Sequence, residues 1–221
     1  FLEEFPKVLK EFENLLNRNR IFMDRTINCG PISAEAALNY GFTGPNLRAA
    51  GVDYDVRVMN PYSSYEDFDF IIPVGTNGDT YDRYMVRHVE MQQSMSIIRQ
   101  AIQKLQSLKD QTSFHADVPE FYLPPKDEVY NTMEGLIWHF KIVMGEVDIP
   151  KGEVYHCVEG GNGELGFYLI SDGGRTPYRL HFRRPCFIYY QAYADMIRGS
   201  MLSDAILTMS SMNVIAGELD A

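Results

Sequence analysis

Cysteine is scarce in this chain. Cys29, Cys157 and Cys186 are the only three in 221 residues. They are odd in number and far apart, with no CxxC pair, which argues against a disulfide framework, a zinc site or an iron–sulfur site and points to a reducing compartment. Long apolar runs are also lacking. None reaches the roughly 18 residues that a membrane-spanning helix needs, and no secretory leader pattern opens the sequence. Positive charge is short as well: 20 Lys and Arg stand against 30 Asp and Glu, for a net charge of −10. A nucleic-acid binder needs a broad basic surface, so nucleic acid is not the expected partner. The five histidines form no HxxxH or HxH pair, so no metal site is read from them. There is no GxSxG elbow, no internal repeat and no low-complexity segment. Strands and helices do not alternate, which disfavours a doubly wound nucleotide fold.

What remains is a chain that is 45% hydrophobic, enough for one domain or two small ones with a core of their own. Leu2, Phe5, Leu9, Phe12 and Leu16 recur at helical spacing, with Pro6 in the first turn. Ser33 is a suitable N-cap for a helix from Ala34 to Tyr40, and Gly41 a suitable residue just past its end. Residues 42–65 show no dominant period, but their aromatic and apolar content predicts an ordered segment. Phe68 to Val74 reads as a short strand. The strongest helical signal covers Asp79 to Leu108, where Tyr81, Tyr84, His88, Met91, Met95, Ile98, Ile102 and Leu105 alternate by three and four. Asp79 is placed to cap it. Lys109 to Pro125 reads as a polar linker, Asp127 to Met144 as one helix with Val129, Met133, Leu136, Ile137 and Phe140 on one side, and Gln191 to Met212 as another, kinked at Gly199.

Between these lies the segment Gly163 to Phe187. Phe167 to Ile170 favours a pleated surface, Asp172, Gly173 and Gly174 form a turn, and Tyr178 to Phe182 returns. Arg175, Arg179, His181, Arg183 and Arg184 make a local basic spot in an acidic chain. It is either a solvated face paired with surplus acids, or a face that meets an acidic partner or lies near a redox centre. Gly161 to Gly166 (GNGELG) matches GxGxxG, but a strand pattern follows where a dinucleotide site needs a helix, so Gly160 to Gly163 is read as a hairpin turn. His88 and His139, on or near apolar helix faces, are read as hydrogen-bonded core or interface histidines. The methionines of the two long helices are read as core filler, with a pocket for a flexible apolar ligand as the alternative. The fold class is therefore α+β, mainly helical, with long helices and a small antiparallel β-hairpin sheet.

Several stretches together resemble one family. They include Ile32–Glu35 (ISAE), Gly41–Gly51 (GFTGPNLRAAG), Tyr54–Arg57 (YDVR), Tyr65–Asp69 (YEDFD), Pro73–Gly75, Gly78 and Asp79, and Tyr81–Tyr84 (YDRY) with Arg87. Further on come Met133 and Glu134, His139–Lys141, Gly163–Gly166 (GELG), Ser171–Gly173, Pro177–Arg179, Arg184 and Pro185, Phe187, and Gly217–Asp220 (GELD). In order and over nearly the whole chain they resemble the D-type (49-kDa-type) subunit of the proton-pumping NADH:quinone oxidoreductase (respiratory complex I), itself similar to the large subunit of nickel–iron hydrogenases.

The resemblance implies a nickel–iron hydrogenase large-subunit-like fold over residues 1–221. It also implies that this is the C-terminal part of a longer domain, because the family's histidine and tyrosine contacts to the quinone head group are not in the sequence. The first residue, Phe1, fits a chain that begins mid-protein. Hydrogenases hold nickel with two CxxC pairs. The present tail, Val214 to Ala221, has no cysteine, so no nickel site is expected. By resemblance the emptied pocket became part of the quinone chamber, lined by the tail at Ile215, Gly217 and Asp220. The tail departs from the family pattern at Ala221, where arginine is usual, and at Asn213, near a usual aspartate. Ser200 also stands where histidine is common.

The same resemblance implies quinone as substrate, with flavin mononucleotide and iron–sulfur clusters held only by partner subunits and no NADH bound here. The implied partners are the small iron–sulfur subunit, the C-type subunit and the membrane arm, with Arg179, Arg183 and Arg184 facing a partner. The implied location is peripheral, on the cytoplasmic face of a bacterial inner membrane. The competing expectations are a scaffold or interaction domain with no redox role, and a hydrogenase-related large subunit.

Overall fold

The computed structural model describes residues 1–108, 118, 121–145 and 149–220. It is mainly helical, with one three-stranded sheet. The chain divides into two compact units: residues 1–106, 157–166 and 183–221 form the first, and residues 107–156 and 167–182 the second.

In the first unit, α1 (Phe5–Phe12) carries Pro6 in its first turn and buries only Leu9. A π-helical turn (Glu13–Asn17) and α2 (Arg20–Thr26) follow, the latter capped by the Asn19 side chain accepting from the N–H groups of Ile21 and Phe22. Next comes α3 (Ala34–Asn39). Its cap is Ser33, as the sequence predicts, with Oγ accepting from Ala36 N–H. Gly41 sits at φ +78 just beyond it. The 42–65 segment is ordered, and it holds two helices that its pattern does not reveal: α4 (Gly44–Ala49) and α5 (Val56–Met59), followed by a 3₁₀ turn (Tyr65–Asp67). Every residue of α4 is buried. A helix buried all round has no apolar stripe to read, which is why periodicity misses it.

Residues 68–74 form no strand. The segment has no regular structure, and glutamines of the neighbouring helix bond two of its N–H groups and one carbonyl: Asp69 N–H donates to Gln100 Oε1 (2.9 Å), Ile71 N–H donates to Gln93 Oε1 (3.0 Å), and Gln100 Nε2 returns a bond to Asp69 O (2.8 Å). That helix, α6 (Thr80–Ser107), begins where expected. Asp79 Oδ1 accepts from Asp82 N–H (2.9 Å), and its Oδ2 accepts from Asn28 N–H (2.8 Å). The buried face differs from the predicted stripe. Thr80, Arg83, Val86, His88 and Met95 are buried, whereas Met91, Ile98, Ile102 and Leu105 are exposed. His88 is hydrogen-bonded as read, with Nε2 2.9 Å from Glu13 Oε1.

C-terminally, α9 (Pro185–Met196) starts at a proline, and α10 (Leu202–Met212) is a separate helix rather than the far side of a kink. Gly199 lies between them at φ +79, a conformation that ends a helix instead of bending it. The tail forms α11 (Ala216–Asp220). The core of this unit gathers Ile32, Ala37, Phe42, Leu47, Ala50, Tyr189, Ala192, Met196 and Met212.

In the second unit the predicted 127–144 helix is two: α7 (Lys126–Asn131) and α8 (Met133–Val143). Thr132 breaks it at φ −128, ψ 145, and its Oγ1 accepts from Gly135 N–H (3.1 Å) as the N-cap of α8. The apolar face read for this segment is exposed at Met133, Leu136, Ile137 and Phe140. His139 borders a cavity with Leu123, Val129 and Leu136. Most of the proposed 109–125 linker, with His115, lies outside the described residues, as does Ala221.

The sheet runs β1 (Gly152–Gly160), β2 (Gly163–Ser171), β3 (Arg179–Arg183) in spatial order. The GNGELG motif is the tight turn from β1 into β2, with no helix after it, so the dinucleotide reading falls on geometry.

Candidate functional site

A buried ionic cluster holds the turn of β1 and β2 in place. Arg48, on α4, is 1% exposed. Its Nη1 donates to Glu159 Oε1 (2.9 Å) and to Tyr54 O (2.9 Å) and lies 3.2 Å from Asp55 Oδ2, while Nη2 pairs with Glu90 of α6. Asp55 in turn caps α5 and takes a bidentate contact from Arg57 Nε (2.9 Å) and Nη2 (2.6 Å). Burial works against charge at Asp55, but the Arg57 hydrogen bonds and the charges of Arg48 and Arg57 outweigh it and hold its carboxyl below the usual range. At Glu159 burial wins and the carboxyl is pushed up. One guanidinium thus ties α4, the approach to α5, α6 and β1 together, and a buried guanidinium with carboxylate partners costs far less than an unpaired one.

Above this cluster the backbone is packed without room for a methyl group. A Cβ on Gly44 would lie 2.3 Å from Gly163 Cα, and one on Gly163, at φ +131, would lie 2.3 Å from the Tyr189 hydroxyl. Only glycine permits that approach. Tyr189 OH donates to Thr43 O (2.9 Å), and Thr43 Oγ1 accepts from Glu164 N–H (3.0 Å). Arg183 is drawn inward: its Nη1 donates to Glu164 O (2.7 Å) and its Nη2 to Gly41 O (2.9 Å).

The C-terminal tail is moored to the same turn. Asn213 adopts a left-handed conformation (φ 58), and its Nδ2 donates to Asn162 Oδ1. Asn162 Nδ2 reaches Cys186 Sγ (3.2 Å), and Cys186 N–H donates to Glu218 Oε1 (3.0 Å). Burial and the Glu218 contact push the Cys186 thiol up to about 11, so it is a neutral packing group at pH 7 rather than a nucleophile or ligand. Between tail and turn lies a cavity of about 430 Å³, lined by Gly160, Gly161, Asn162, Gly163, Leu165, Pro185, Asn213, Ile215 and Glu218. Its walls are backbone and apolar side chain, with Asn162, Asn213 and Glu218 as the polar groups, a composition suited to a mostly apolar ligand with a polar head.

Of the tail residues singled out from sequence, Ile215 lines this cavity. Gly217 and Asp220 are exposed on α11 and do not line it. Glu218, Asn162 and Asn213 do, and the sequence reading missed them as site residues. Glu218 lies inside the GELD motif and Asn162 inside GNGELG, but nothing in either motif says that the two meet through Cys186. Among the basic residues, Arg179 is exposed, Arg183 is engaged internally, and Arg184 is half-buried with its guanidinium 5.1 Å from the Phe187 ring centroid. Among the described residues no group of three or more His, Cys, Asp or Glu is gathered to hold a metal ion, and no helix is long and apolar enough to cross a membrane.

The sequence model of the family described as respiratory-chain NADH dehydrogenase, 49 Kd subunit, matches residues 1–221. Among curated proteins the chain is similar to a D-type subunit of NADH-quinone oxidoreductase from Cytophaga hutchinsonii, 73% identical over 221 residues, which is 100% of this chain and 56% of that protein. It is 71% identical to the D-type subunit of NADH-quinone oxidoreductase from Flavobacterium johnsoniae, again over 100% of this chain and 53% of the relative. It is 55% identical to the corresponding subunit from Leptospira biflexa over 219 residues, 99% of this chain and 53% of the relative. The chain spans about half the length of the curated relatives it matches. A match along every residue, with the glycine turn and the tail it moors both inside it, leaves one conclusion: the chain belongs to the 49 Kd subunit family of the respiratory-chain NADH dehydrogenase.

Proposed function

We propose that this chain forms part of the quinone-reducing site of a proton-translocating NADH:quinone oxidoreductase, and that the cavity between the C-terminal tail and the GNGELG turn is a wall of the quinone chamber. The observation that carries the reading is that cavity: about 430 Å³, lined by Ile215, Leu165, Pro185 and glycine backbone, with Asn162, Asn213 and Glu218 at hand. Family membership, and relatives named as subunits of NADH-quinone oxidoreductase, supply the chemistry.

In this reading the chain supplies shape and polarity, not redox centres. Electrons come from a flavin and iron–sulfur clusters in neighbouring subunits, and the quinone is reduced where this chain meets the small cluster-bearing subunit, the C-type subunit and the membrane arm. Ile215 and Leu165 pack against the apolar part of the quinone. The Asn162–Asn213 bond fixes the turn against the tail, so that the wall does not shift as the head group changes charge. Gly217 and Asp220, on the exposed side of α11, complete the chamber together with other parts of the assembly. Exposed Arg179 and half-buried Arg184 are the candidates for a partner face. The helical frame is the one shared with nickel–iron hydrogenase large subunits, with the metal pocket emptied. The assembly is peripheral to the cytoplasmic face of a bacterial inner membrane. Alone, the chain does not oxidise NADH.

The test is steady-state kinetics of the assembled enzyme carrying Ile215→Trp, with Asp220→Asn alongside. An indole in place of the Ile215 side chain narrows the cavity, and overpacking of this kind costs about 1–3 kcal/mol. Quinone reduction is expected to fall roughly tenfold or more, with NADH oxidation by a water-soluble artificial acceptor unchanged. Normal quinone reduction in both variants overturns the assignment.

A further inference from the structure

A second cavity in the same unit shares Asn213 with the first and has a different character. It measures about 360 Å³, and its lining includes Phe22, Tyr84 and Leu207 with several hydroxyl side chains and Arg87, the one ionised group among its described lining residues. Arg87 and Arg83 follow one another at i, i+4 on α6, where like charges repel. Neither has a carboxylate within ion-pair distance among the described residues. Arg83 is fully buried and spends its donors on Gly78 O (2.7 Å), Gly30 O (2.9 Å), Thr80 Oγ1 (3.0 Å) and Ser211 Oγ (2.9 Å). Arg87 donates from Nη1 to Arg83 O (3.0 Å) and from Nη2 to Asn46 Oδ1 (3.0 Å) and Met212 O (3.4 Å). A guanidinium has five N–H groups, so these three bonds leave one Nη1 hydrogen unused, and Nε is buried with no acceptor among the described residues. Glu90, the nearest acid along the helix, is already paired with Arg48. Two neighbouring guanidiniums with no ion-paired carboxylate among the described residues, only the more distant charges of Asp79, Asp82 and Glu90, are an unusual cost in a protein with ten surplus negative charges.

Of the lining hydroxyls, those of Thr26, Thr80, Tyr84 and Ser211 are already spent, Thr26 Oγ1 on Phe22 O, and exposed Ser210 is left to assist Arg87 as a neutral donor. Thr80 Oγ1 donates to Cys29 O, Ser211 Oγ to Thr208 O, and Tyr84 OH to Asn17 Oδ1. We propose that this cavity binds a carboxylate carried on a short apolar stem, with Arg87 as its counter-ion and Phe22, Tyr84 and Leu207 around the stem. A monoanion suits a single guanidinium with one unused Nη1 hydrogen, whereas a dianionic phosphate would be left half-compensated between apolar walls. The carboxylate comes either from an acidic side chain of another polypeptide segment or from a free aliphatic acid. The site shares Asn213 with the lining of the proposed quinone wall, but its test reads the anion at Arg87 and does not depend on that wall.

The experiment is a map of the assembled enzyme, at a resolution that shows side chains, in wild-type form and with Arg87→Met and Arg87→Lys. The expected result is a carboxylate within hydrogen-bonding distance of Arg87 in the wild type, kept by Arg87→Lys and lost in Arg87→Met. Density continuous with a polypeptide identifies the acidic side chain as the source. Separate density identifies a free acid, and then hexanoate, but not hexanol, occupies the cavity when added, with an affinity roughly tenfold or more weaker in Arg87→Met. A wild-type cavity that holds only water or apolar side chains, with no anion at Arg87, overturns the proposal.

Discussion

Arg48 shows how a single side chain sets the position of everything near the site. It is buried among Asp55, Glu90 and Glu159, and removing one partner of such a group leaves an uncompensated buried charge. Arg48→Met is therefore expected to destabilise the chain by about 3–5 kcal/mol, read as a lowered urea midpoint at unchanged slope. Asp55 adds a pH signature of known sign. Its folded-state carboxyl is held below the ordinary value, so its contribution is present above the unfolded carboxylate range and is lost as the pH falls through the lower folded value. Asp55→Asn should flatten the acid limb of the stability–pH curve below about pH 4, besides lowering stability at neutral pH. Gly44 makes a similar point through the backbone. Gly44→Ala places a methyl 2.3 Å from Gly163 Cα at a position with φ +63, and the expected loss is about 2–4 kcal/mol, seen in the same unfolding titration.

At the scale of elements, local chemistry was legible and tertiary substitution for it was not. Ser33, Asp79 and Gly41 mark starts and stops that the structure keeps, because capping is a property of a few adjacent residues. The strand expected at 68–74 fails for a reason outside the segment: Gln93 and Gln100 of α6 take the place of a neighbouring strand. Helix α4 escapes periodicity because it is buried on every side. The long apolar stripe of α6 holds at His88 and Met95 but misleads beyond them, because Ile98, Ile102 and Leu105 are exposed while the helix buries Arg83. At the site, resemblance pointed to the tail and Ile215, but the contacts of Glu218 with Cys186 and of Asn213 with Asn162 join residues far apart in sequence. Two outcomes follow. Gln100→Ala removes both bonds to Asp69 and should raise protease cleavage near Phe70 without changing helix content. Thr132→Ala removes the cap of α8, at a cost of about 1 kcal/mol, and should speed amide exchange in the first turn of that helix and leave α10 unaffected.

For the molecule as a whole, the C-terminal tail contributes to the lining of both cavities. Asn46 and Arg87 hold the Met212 carbonyl, Asn213 turns the chain, and Ile215 and Glu218 then face the cavity at the glycine turn. Photoaffinity labelling of the assembled enzyme with a quinone carrying a photoreactive group on its ring tests the quinone wall most directly. The expected result is label in the peptides holding Asn213 to Asp220 or Gly160 to Leu165, suppressed by excess unlabelled quinone. Quinone-protectable label confined to other segments or other subunits, with both of these peptides unmarked, would contradict it.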